Sequence, residues 1–517
     1  MSKFIKTYPL PLAFIALICM IALTLGLADK DSFQIYFCNS DTMYLPSIYR
    51  DLILENGDFH QWSFNASPNL YPDFLIFSGL MSVLNDTITT IIFFGIFQYL
   101  LFVFLTGNIV HTTIKSLSLN QKALGILLAG VPFLAVVIND DVEFVFQLLS
   151  NSFHLGASLS TLIAIRIFIQ IFNKNQWWWW LPFLVHATLA GTNDKLFWIQ
   201  CLIPLFGIAT LLVFQKKIKI AIPLFLTIIA AFVMANMYIN YHKEPAYPTI
   251  ERAFREFAFS YSKDSAIQFF KDIKMMFNLF HVKSVFYIIA LGFMLISVLI
   301  ILKNKLQILK SNHLILFFFA SSTFLTVVAP ILNGSYMSHQ HNRYFIGALL
   351  ISFLICSFIL ISKLRAEKFT RVFSITASVI AIGFFALYFS SFTEKINLYP
   401  TFAKEVDTLI EKYHLKQGAS TYWNSKSHEY LCKNDIRIVA VFSDVFPYLH
   451  ANSRAWYFDE KDYFNFVMID SDEHLKQLQS IFPSGTQVVQ EGDTRILLTP
   501  LFRFDSTTAK MVIIGDV

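Results

Sequence analysis

Apolar and polar segments alternate along the chain, and eleven of the apolar segments predict membrane-spanning helices. A helix of roughly 17 to 25 apolar residues crosses a hydrocarbon core about 30 Å thick. The predicted spans are residues 9–28, 88–110, 123–138, 155–172, 177–190, 196–214, 220–238, 285–302, 313–330, 345–362 and 373–391. The pattern therefore predicts a polytopic α-helical membrane protein with about eleven transmembrane helices.

Two of these segments need further interpretation. The first follows Lys3 and Lys6 but lacks a small-residue cleavage site, so we expect a retained helix and not a cleaved signal. The fifth is short and begins with four tryptophans at 177–180, which predict an aromatic anchor at the membrane interface. A sugar-stacking role for these rings is the alternative.

The composition supports the membrane class. Hydrophobic residues make up 55% of the chain and charged residues only 15%, with 56 Phe among 517 residues. Such a chain does not fold as a water-soluble globule. The net charge of +5 lies mostly in short loops. It therefore bears on membrane orientation and gives no support for a nucleic-acid partner.

The loop charges predict the orientation. With the N-terminus inside, five short loops rich in Lys and Arg fall on the cytoplasmic side, as the positive-inside rule requires. Residues 239–284 are the exception, since they are predicted outside and carry seven basic residues among five acids. Long loops of mixed charge translocate with less regard to the rule. Eleven crossings then place the C-terminus outside.

The composition changes near residue 393. Residues 1–392 are predicted to form the transmembrane domain, with outer loops at 29–87, 139–154 and 239–284. Residues 393–517 contain more charge and predict a small extracytoplasmic α/β domain, large enough for a core of its own. Its predicted strands are 437–442, 464–469, 495–498 and 511–514, and its predicted helices are 402–413 and 472–481. It has no Gly-rich phosphate loop, which argues against a dinucleotide site.

Polar groups gather at the helix ends on the predicted outer side, whereas the inner loops are merely basic. The outer groups are Asp41, Asp140, Asp141, Glu143, His154, Asp194, Lys195, His339, His341, Arg343 and Tyr344. Carboxylates, imidazoles and cations on one face of a membrane domain indicate a reaction or binding site there.

Each group also has a purely structural interpretation. Asp41 precedes an amphipathic run at 44–55, so it could serve as a helix N-cap, and this role would not exclude a second one as a catalytic base. Asp140, Asp141 and Glu143 form either a solvated turn or a site for a divalent cation such as Mg²⁺ or Mn²⁺. Two adjacent acids alone are a weak metal signal.

The basic residues have alternatives of the same kind. Lys195 either pairs with Asp194 at a helix start or contacts a phosphate as a point charge. Arg343 either grips a phosphate through two hydrogen bonds or extends towards lipid headgroups. His339 and His341, two residues apart on a predicted loop, favour solvated side chains over metal ligands. Cys38 and Cys432, both predicted outside, could form a disulfide.

The order of these elements resembles the GT-C superfamily of polytopic glycosyltransferases, which use polyprenyl-phosphate-linked sugars. The resembling features are the first helix, the outer loop with Asp41 and then Tyr71-Pro72-Asp73, the acidic segment at 140–143 and the outer C-terminal domain. The resemblance implies that Asp41 is the catalytic base, that the acids at 140–143 assist metal or acceptor binding, and that Arg343 holds the donor phosphate. Asp41 is followed by Thr42, where some members carry a second acid.

The expected function is transfer of a sugar from a polyprenyl-phosphate donor to an extracytoplasmic glycan, lipid or protein, with inversion. A Phe- and Lys-rich chain favours a bacterial inner membrane with the active face outside. In the outer domain, residues 418–424 predict a strand and an aromatic turn, for carbohydrate contact or for core packing. Two rival classes are a lipid-linked glycan flippase and a non-catalytic membrane scaffold. A flippase would place ionisable groups near helix midpoints.

Overall fold

The computed structural model describes residues 9–65, 67–113, 116–139, 142–149, 154–174, 176–241, 261–278, 282–303, 311–364, 367–459, 463–482 and 486–515. Within these ranges, nine helices have the length and apolar composition to span a membrane: Pro9–Leu27, Thr87–Thr113, Leu119–Val136, Leu155–Lys174, Lys195–Phe214, Ile218–Tyr241, Lys283–Ile300, His313–Leu332 and Glu367–Leu387. Two shorter helices, Trp180–Asn193 and Ile346–Ser362, occupy the fifth and tenth predicted segments. The protein is therefore an integral membrane protein of the predicted class.

The third predicted helix is divided in two. Leu119–Leu128 begins with a capping box in which Ser118 and Gln121 exchange hydrogen bonds, and a second helix, Val131–Asn139, follows. Pro132 has no amide hydrogen to donate to the preceding turn, which explains the break. The Ala129 carbonyl instead accepts a hydrogen bond from the buried Tyr99 hydroxyl at 2.6 Å.

The sequence interpretation missed several shorter helices, one of which is apolar. Leu75–Leu84 lies in the loop between the first two spanning helices, residues 29–86, which we call the first loop. Ten residues rise only about 15 Å at 1.5 Å each, too little to cross a bilayer. Asn69 and Asn85 adopt left-handed backbone conformations before and after this segment, where Asn is tolerated better than most residues.

The C-terminal residues form the predicted α/β domain. Five strands lie in the order Arg437–Val441, Gln417–Thr421, Phe464–Met468, Thr494–Phe504 and Gln487–Glu491, and Met511–Gly515 also pairs with Thr494–Phe504. The first three strands are parallel and the others antiparallel. Helices Thr401–Tyr413 and Asp472–Ile481 match the predicted ones. The expected aromatic turn after residue 421 is wrong, because Tyr422–Leu431 is a helix.

The first loop is built into this domain. Trp62–Ser63 pairs antiparallel with Asn452–Ser453. Glu55 accepts hydrogen bonds from Arg50 at 2.6 Å and Arg437 at 2.7 Å, and so connects the loop to the domain. We call the end of the helical bundle that carries the first loop and the C-terminal domain the domain face.

The buried Asp51 side chain also connects the first loop to the C-terminal domain. This buried carboxylate accepts the indole N–H groups of Trp62 at 2.5 Å and of Trp456 at 2.7 Å. Trp62 belongs to the first loop and Trp456 to the domain, so a single side chain links the two. A buried donor that loses its acceptor costs far more than the bond contributes.

Replacement of Asp51 by Ala is expected to destabilise this joint. It leaves two buried indole N–H groups without an acceptor, and we expect the free energy of unfolding to fall by about 2–5 kcal/mol. Thermal unfolding of the purified protein measures the loss. Asp435→Ala is the matched control, since this acid is 89% exposed and its pair with Arg50 should contribute at most about 1 kcal/mol. Equal losses in the two variants would contradict the assignment.

Candidate active site at the domain face

Asp41 lies in the turn between helices Lys30–Phe37 and Tyr44–Tyr49. The N-cap interpretation of this residue is wrong: the second helix has no side-chain cap, and Asn39 accepts the Thr42 amide at 3.1 Å. The half-buried Asp41 side chain instead accepts a hydrogen bond from the Tyr422 hydroxyl at 2.7 Å. Asp41 therefore stands at the contact between the first loop and the C-terminal domain.

The groups around Asp41 form an unusual electrostatic environment. Burial and the Asp41 charge raise the pKa of Tyr422 well above its ordinary value, so this hydroxyl stays protonated and can only donate to Asp41. Burial lowers the pKa of Lys426 to about 7, against the opposing attraction of Glu429 and Asp41. The Lys426 ammonium donates to the Ala451 carbonyl and lies 5.2 Å from the Tyr44 ring centre.

The Lys426 shift predicts how stability depends on pH. In the unfolded chain this lysine titrates near its ordinary value of 10.5, and in the folded protein near 7. Between these values the unfolded state binds the extra proton, so the free energy of unfolding rises with pH, by up to about 1.4 kcal/mol per pH unit. Below pH 7 Lys426 is charged in both the folded and the unfolded state, so its buried charge lowers the free energy of unfolding by the full amount.

Replacement of Lys426 by Met removes this dependence. We expect the variant to gain stability over the wild type at pH 6 and the difference to shrink towards pH 10. Melting temperatures of both proteins across this range give the measurement. Identical pH profiles would show that Lys426 is not the group responsible.

A second set of candidate site residues lies close together at the N-terminal ends of several helices. His154 Nδ1 lies 2.6 Å from the Asp194 carboxylate, with side-chain exposures of 15% and 7%. The His154 ring is 5.0 Å from the Tyr344 ring, and the Arg343 guanidinium is 5.5 Å from that ring centre. The His341 ring lies 5.8 Å from the Tyr344 ring. We call these five residues the polar cluster.

Asp194 has two roles within the cluster. Besides its pair with His154, it caps the helix that starts at Lys195 by accepting the Leu196 amide at 2.8 Å. Its predicted pairing with Lys195 is wrong, because the Lys195 side chain is exposed and Asp194 is turned towards His154. The neighbouring Asn193 accepts the Leu70 amide at 2.7 Å, which ties the cluster to the first loop.

Asp73 adds a buried acid beside the cluster. It accepts a hydrogen bond from Gln98 at 2.5 Å and lies close enough to Asp194 for the two charges to interact. Gly156 leaves the space for it, since a Cβ at that position would stand 2.1 Å from an Asp73 oxygen. Burial and the nearby Asp194 charge raise the pKa of Asp73 to about 8, so at neutral pH this carboxyl is largely protonated and can donate a hydrogen bond as well as accept one.

The other predicted residues lie elsewhere or outside the described ranges. Glu143 is paired with Lys283 at 3.7 Å and accepts a hydrogen bond from Gln147 at 2.7 Å. Asp140 and Asp141 lie outside the described residues, as does the side chain of His339. Among described residues no three His, Cys, Asp or Glu side chains group to hold a metal. Cys38 and Cys432 are free thiols.

Sequence reasoning missed the residues that surround Asp41. Tyr422, Lys426 and Asp51 were not predicted as partners, and only the aromatic pair Tyr422-Trp423 gave a usable signal. Asp73 was noticed as part of a motif but not as a site residue. Nothing in the local sequence shows that Lys426, the fifth residue of the polar helix Tyr422–Leu431, is buried.

An apolar groove runs along the membrane part below the domain face. It lies between helices Pro9–Leu27, Leu119–Leu128 and Glu367–Leu387 and encloses about 620 Å³. Its lining is almost entirely Leu, Phe, Ile, Val and Ala side chains, with Tyr388 and Leu27 at the end nearest the domain. Such a groove fits a hydrocarbon chain and not a polar ligand.

Comparison with solved structures identifies this architecture. The crystal structure of ArnT from Cupriavidus metallidurans bound to undecaprenyl phosphate matches 94% of this chain and 97% of its own, with a TM-score of 0.50 and 9% identity. Its apo form matches equally well, over 94% and 96%. The chain has the fold of the GT-C superfamily. This confirms the resemblance predicted from sequence, and at 9% identity the likeness establishes the fold alone.

Other comparisons add little. A match of lower similarity is the crystal structure of the Archaeoglobus fulgidus oligosaccharyltransferase in complex with Zn and sulfate, at 9% identity and a TM-score of 0.41, over 88% of this chain and 67% of that one. No protein-family model and no curated protein sequence matches the chain. Its chemistry must therefore be argued from its own residues.

Proposed function

We propose that this protein is a membrane glycosyltransferase that moves a sugar from a polyprenyl-phosphate donor to an extracytoplasmic glycan, lipid or protein. The observation that carries the proposal is the position of Asp41 in a chain with the GT-C fold: an acid where the first loop meets the C-terminal domain, with one oxygen to which no described residue donates a hydrogen bond. A scaffold protein has no need of an acid held in this way.

In the proposed reaction Asp41 is the general base. Tyr422 occupies one carboxylate oxygen and leaves the other free to accept the proton of an acceptor hydroxyl. That hydroxyl oxygen attacks the anomeric carbon, the bond to the phosphate oxygen breaks, and the electron pair leaves with the polyprenyl phosphate. A direct displacement of this kind inverts the anomeric configuration. General-base help of this type contributes about 10²–10⁴-fold to the rate.

The donor phosphate is proposed to bind at the polar cluster. Arg343 supplies a guanidinium that can hold a phosphate through two hydrogen bonds. Lys195, which follows Asp194 in the chain, supplies an exposed positive charge. The polyprenyl chain is assigned to the apolar groove. The undecaprenyl phosphate in the ArnT crystal structure supports this class of ligand. A divalent cation at Asp140 and Asp141 stays a separate proposal, and no step depends on it.

An assay in proteoliposomes separates this function from its rivals. The purified protein is reconstituted with polyprenyl-phosphate sugars and an extract of envelope glycolipids, and lipid products are measured by mass spectrometry. A transferase yields free polyprenyl phosphate and a heavier acceptor. A flippase leaves the donor intact but changes its leaflet, and a scaffold changes neither; either result would reject the proposal.

A further inference from the structure

A polar cleft opens between the first loop and the C-terminal domain, separate from the apolar groove. It encloses about 570 Å³, within the roughly 300–1,000 Å³ range of small-molecule sites. Helix Lys30–Phe37 and Asn39 form one wall, and the domain contributes the other with Phe402, Trp423 and His428. Its lining is rich in carboxylates, amides and hydroxyls.

Trp423 is the first sign that the cleft holds a ligand. Its side chain is 62% exposed although it lines a concave site. An exposed indole forgoes the favourable free energy of burial, about 25 cal/mol for each Å² of apolar surface. The backbone here is fixed. The Trp423 carbonyl accepts the Ser40 hydroxyl at 3.0 Å, and Trp423 lies in the first turn of helix Tyr422–Leu431, which packs on the first loop. The ring meets the Tyr422 ring edge-on, with centroids 5.3 Å apart, and most of its surface still faces the cleft and solvent.

His428 is a second and independent sign. The side chain is 93% buried, stacks 4.6 Å from the Phe402 ring and lines the cleft. Its Nδ1 donates to the Asn424 carbonyl at 2.5 Å. Burial lowers the pKa of His428 to about 4, so the ring is neutral and Nε2 carries a lone pair. No described residue donates to Nε2, which suits it to accept a ligand hydroxyl.

The charge of the residues that line the cleft indicates which ligands it can bind. Among the described residues that line the cleft, four acids stand against one guanidinium: Asp31, Glu405, Asp470 and Asp493 against Arg495. Arg495 is itself paired with Asp472 at 2.6 Å. Anionic ligands such as phosphates and acidic sugars are therefore repelled, whereas neutral and amino-bearing ligands are accepted.

The cleft adjoins the proposed base. Tyr422 and Trp423 are consecutive, and the first bonds to Asp41 while the second lines the cleft. We propose that the cleft binds a neutral or amino-bearing glycan of the acceptor, with Trp423 stacked on a sugar ring and His428 Nε2 accepting a sugar hydroxyl. This inference rests on the proposed function, since it names the acceptor that Asp41 would activate.

Glycan binding tests the cleft without any transfer reaction. The protein in lipid nanodiscs, free of maltoside detergents that would compete, is applied to an array of neutral, amino-bearing and carboxylate-bearing oligosaccharides. We expect binding to neutral or amino-bearing glycans and a loss of about tenfold with Trp423→Ala. Trp177→Ala is the matched control, because Trp177 is 82% exposed and is not among the described residues that line the cleft.

The array can overturn the inference in two ways. Either no neutral or amino-bearing glycan binds in a manner that depends on Trp423, or carboxylate-bearing glycans bind most tightly. His428→Phe keeps the ring packed on Phe402 but removes the acceptor nitrogen, and should weaken the same glycans. Unchanged glycan binding by this variant, if it folds as the wild type does, would remove His428 from the site.

Kinetics separate failure of the cleft from failure of the proposed function. If transfer occurs, Trp423→Ala should raise the acceptor KM about tenfold and leave the donor KM unchanged. Trp423-dependent glycan binding without transfer from any donor would reject the glycosyltransferase but keep the cleft. Transfer that is indifferent to Trp423 would reject the cleft and keep the glycosyltransferase.

Discussion

Replacement of Asp41 by Asn is expected to lower kcat about 10²–10⁴-fold, because an amide cannot accept the acceptor proton. The substitution is nearly isosteric. The Asn carbonyl oxygen can still accept the Tyr422 hydroxyl, which the carboxylate holds at 2.7 Å, so the joint between loop and domain should survive. Donor and acceptor KM values should change little, since binding does not need the lost charge.

Asp58→Asn is the matched control for this loss. Asp58 is an exposed acid of the same loop, and its side chain caps a short helix by accepting the His60 amide at 2.9 Å. Asn is an equally good cap, so this variant should keep both stability and activity. Comparable activity of Asp41→Asn and the wild type, with both folded, would exclude Asp41 as the base.

Replacement of Arg343 by Ala is expected to lower kcat/KM for the donor about 10²–10³-fold. The guanidinium is proposed to stabilise the negative charge that develops on the departing phosphate, and loss of one such group typically has an effect of this size. Arg343→Lys keeps the charge but not the paired hydrogen bonds, and should recover only part of the activity. Steady-state kinetics with varied donor concentration supply the measurement.

Two further variants test whether the loss of donor kcat/KM is specific to Arg343. Arg503→Ala removes an exposed arginine from a C-terminal strand and should leave the kinetics unchanged. Lys195→Ala should cost less than Arg343→Ala, because an exposed lysine acts only as a screened point charge. A larger loss with Lys195→Ala, or none with Arg343→Ala, would move the donor phosphate away from Arg343.

The membrane fold could be predicted well because a bilayer leaves the chain few choices. Apolar length located the nine described helices that are long enough to span a membrane and the shorter helices Trp180–Asn193 and Ile346–Ser362, since each backbone amide must be satisfied within its own helix. The helix predictions were wrong where helix length or hydrogen bonding decides the structure and hydropathy does not. Leu75–Leu84 is apolar but too short to span, and the break before Val131 depends on Pro132 and on a hydroxyl supplied by Tyr99.

The candidate site was only partly predictable, for a physical reason. Asp41 was singled out from its own neighbourhood, where a polar turn follows an apolar helix; its proposed role stays a prediction. Its partner Tyr422 is 381 residues away, and His154 meets Asp194 across 40 residues. Such contacts follow from how helices and domain pack, and no local pattern encodes them. Burial, which makes Lys426 unusual, is likewise a property of the fold.

The stoichiometry of a single turnover tests the central claim most directly. Protein in excess over a polyprenyl-phosphate sugar is mixed with acceptor, and both lipid and glycoside products are counted at intervals. We predict one polyprenyl phosphate released for each glycosidic bond formed, with inverted configuration, and almost no product with Asp41→Asn. Intact donor after prolonged reaction with the wild type, or equal product formation by the variant, would contradict the assignment of this chain as a glycosyltransferase that uses Asp41.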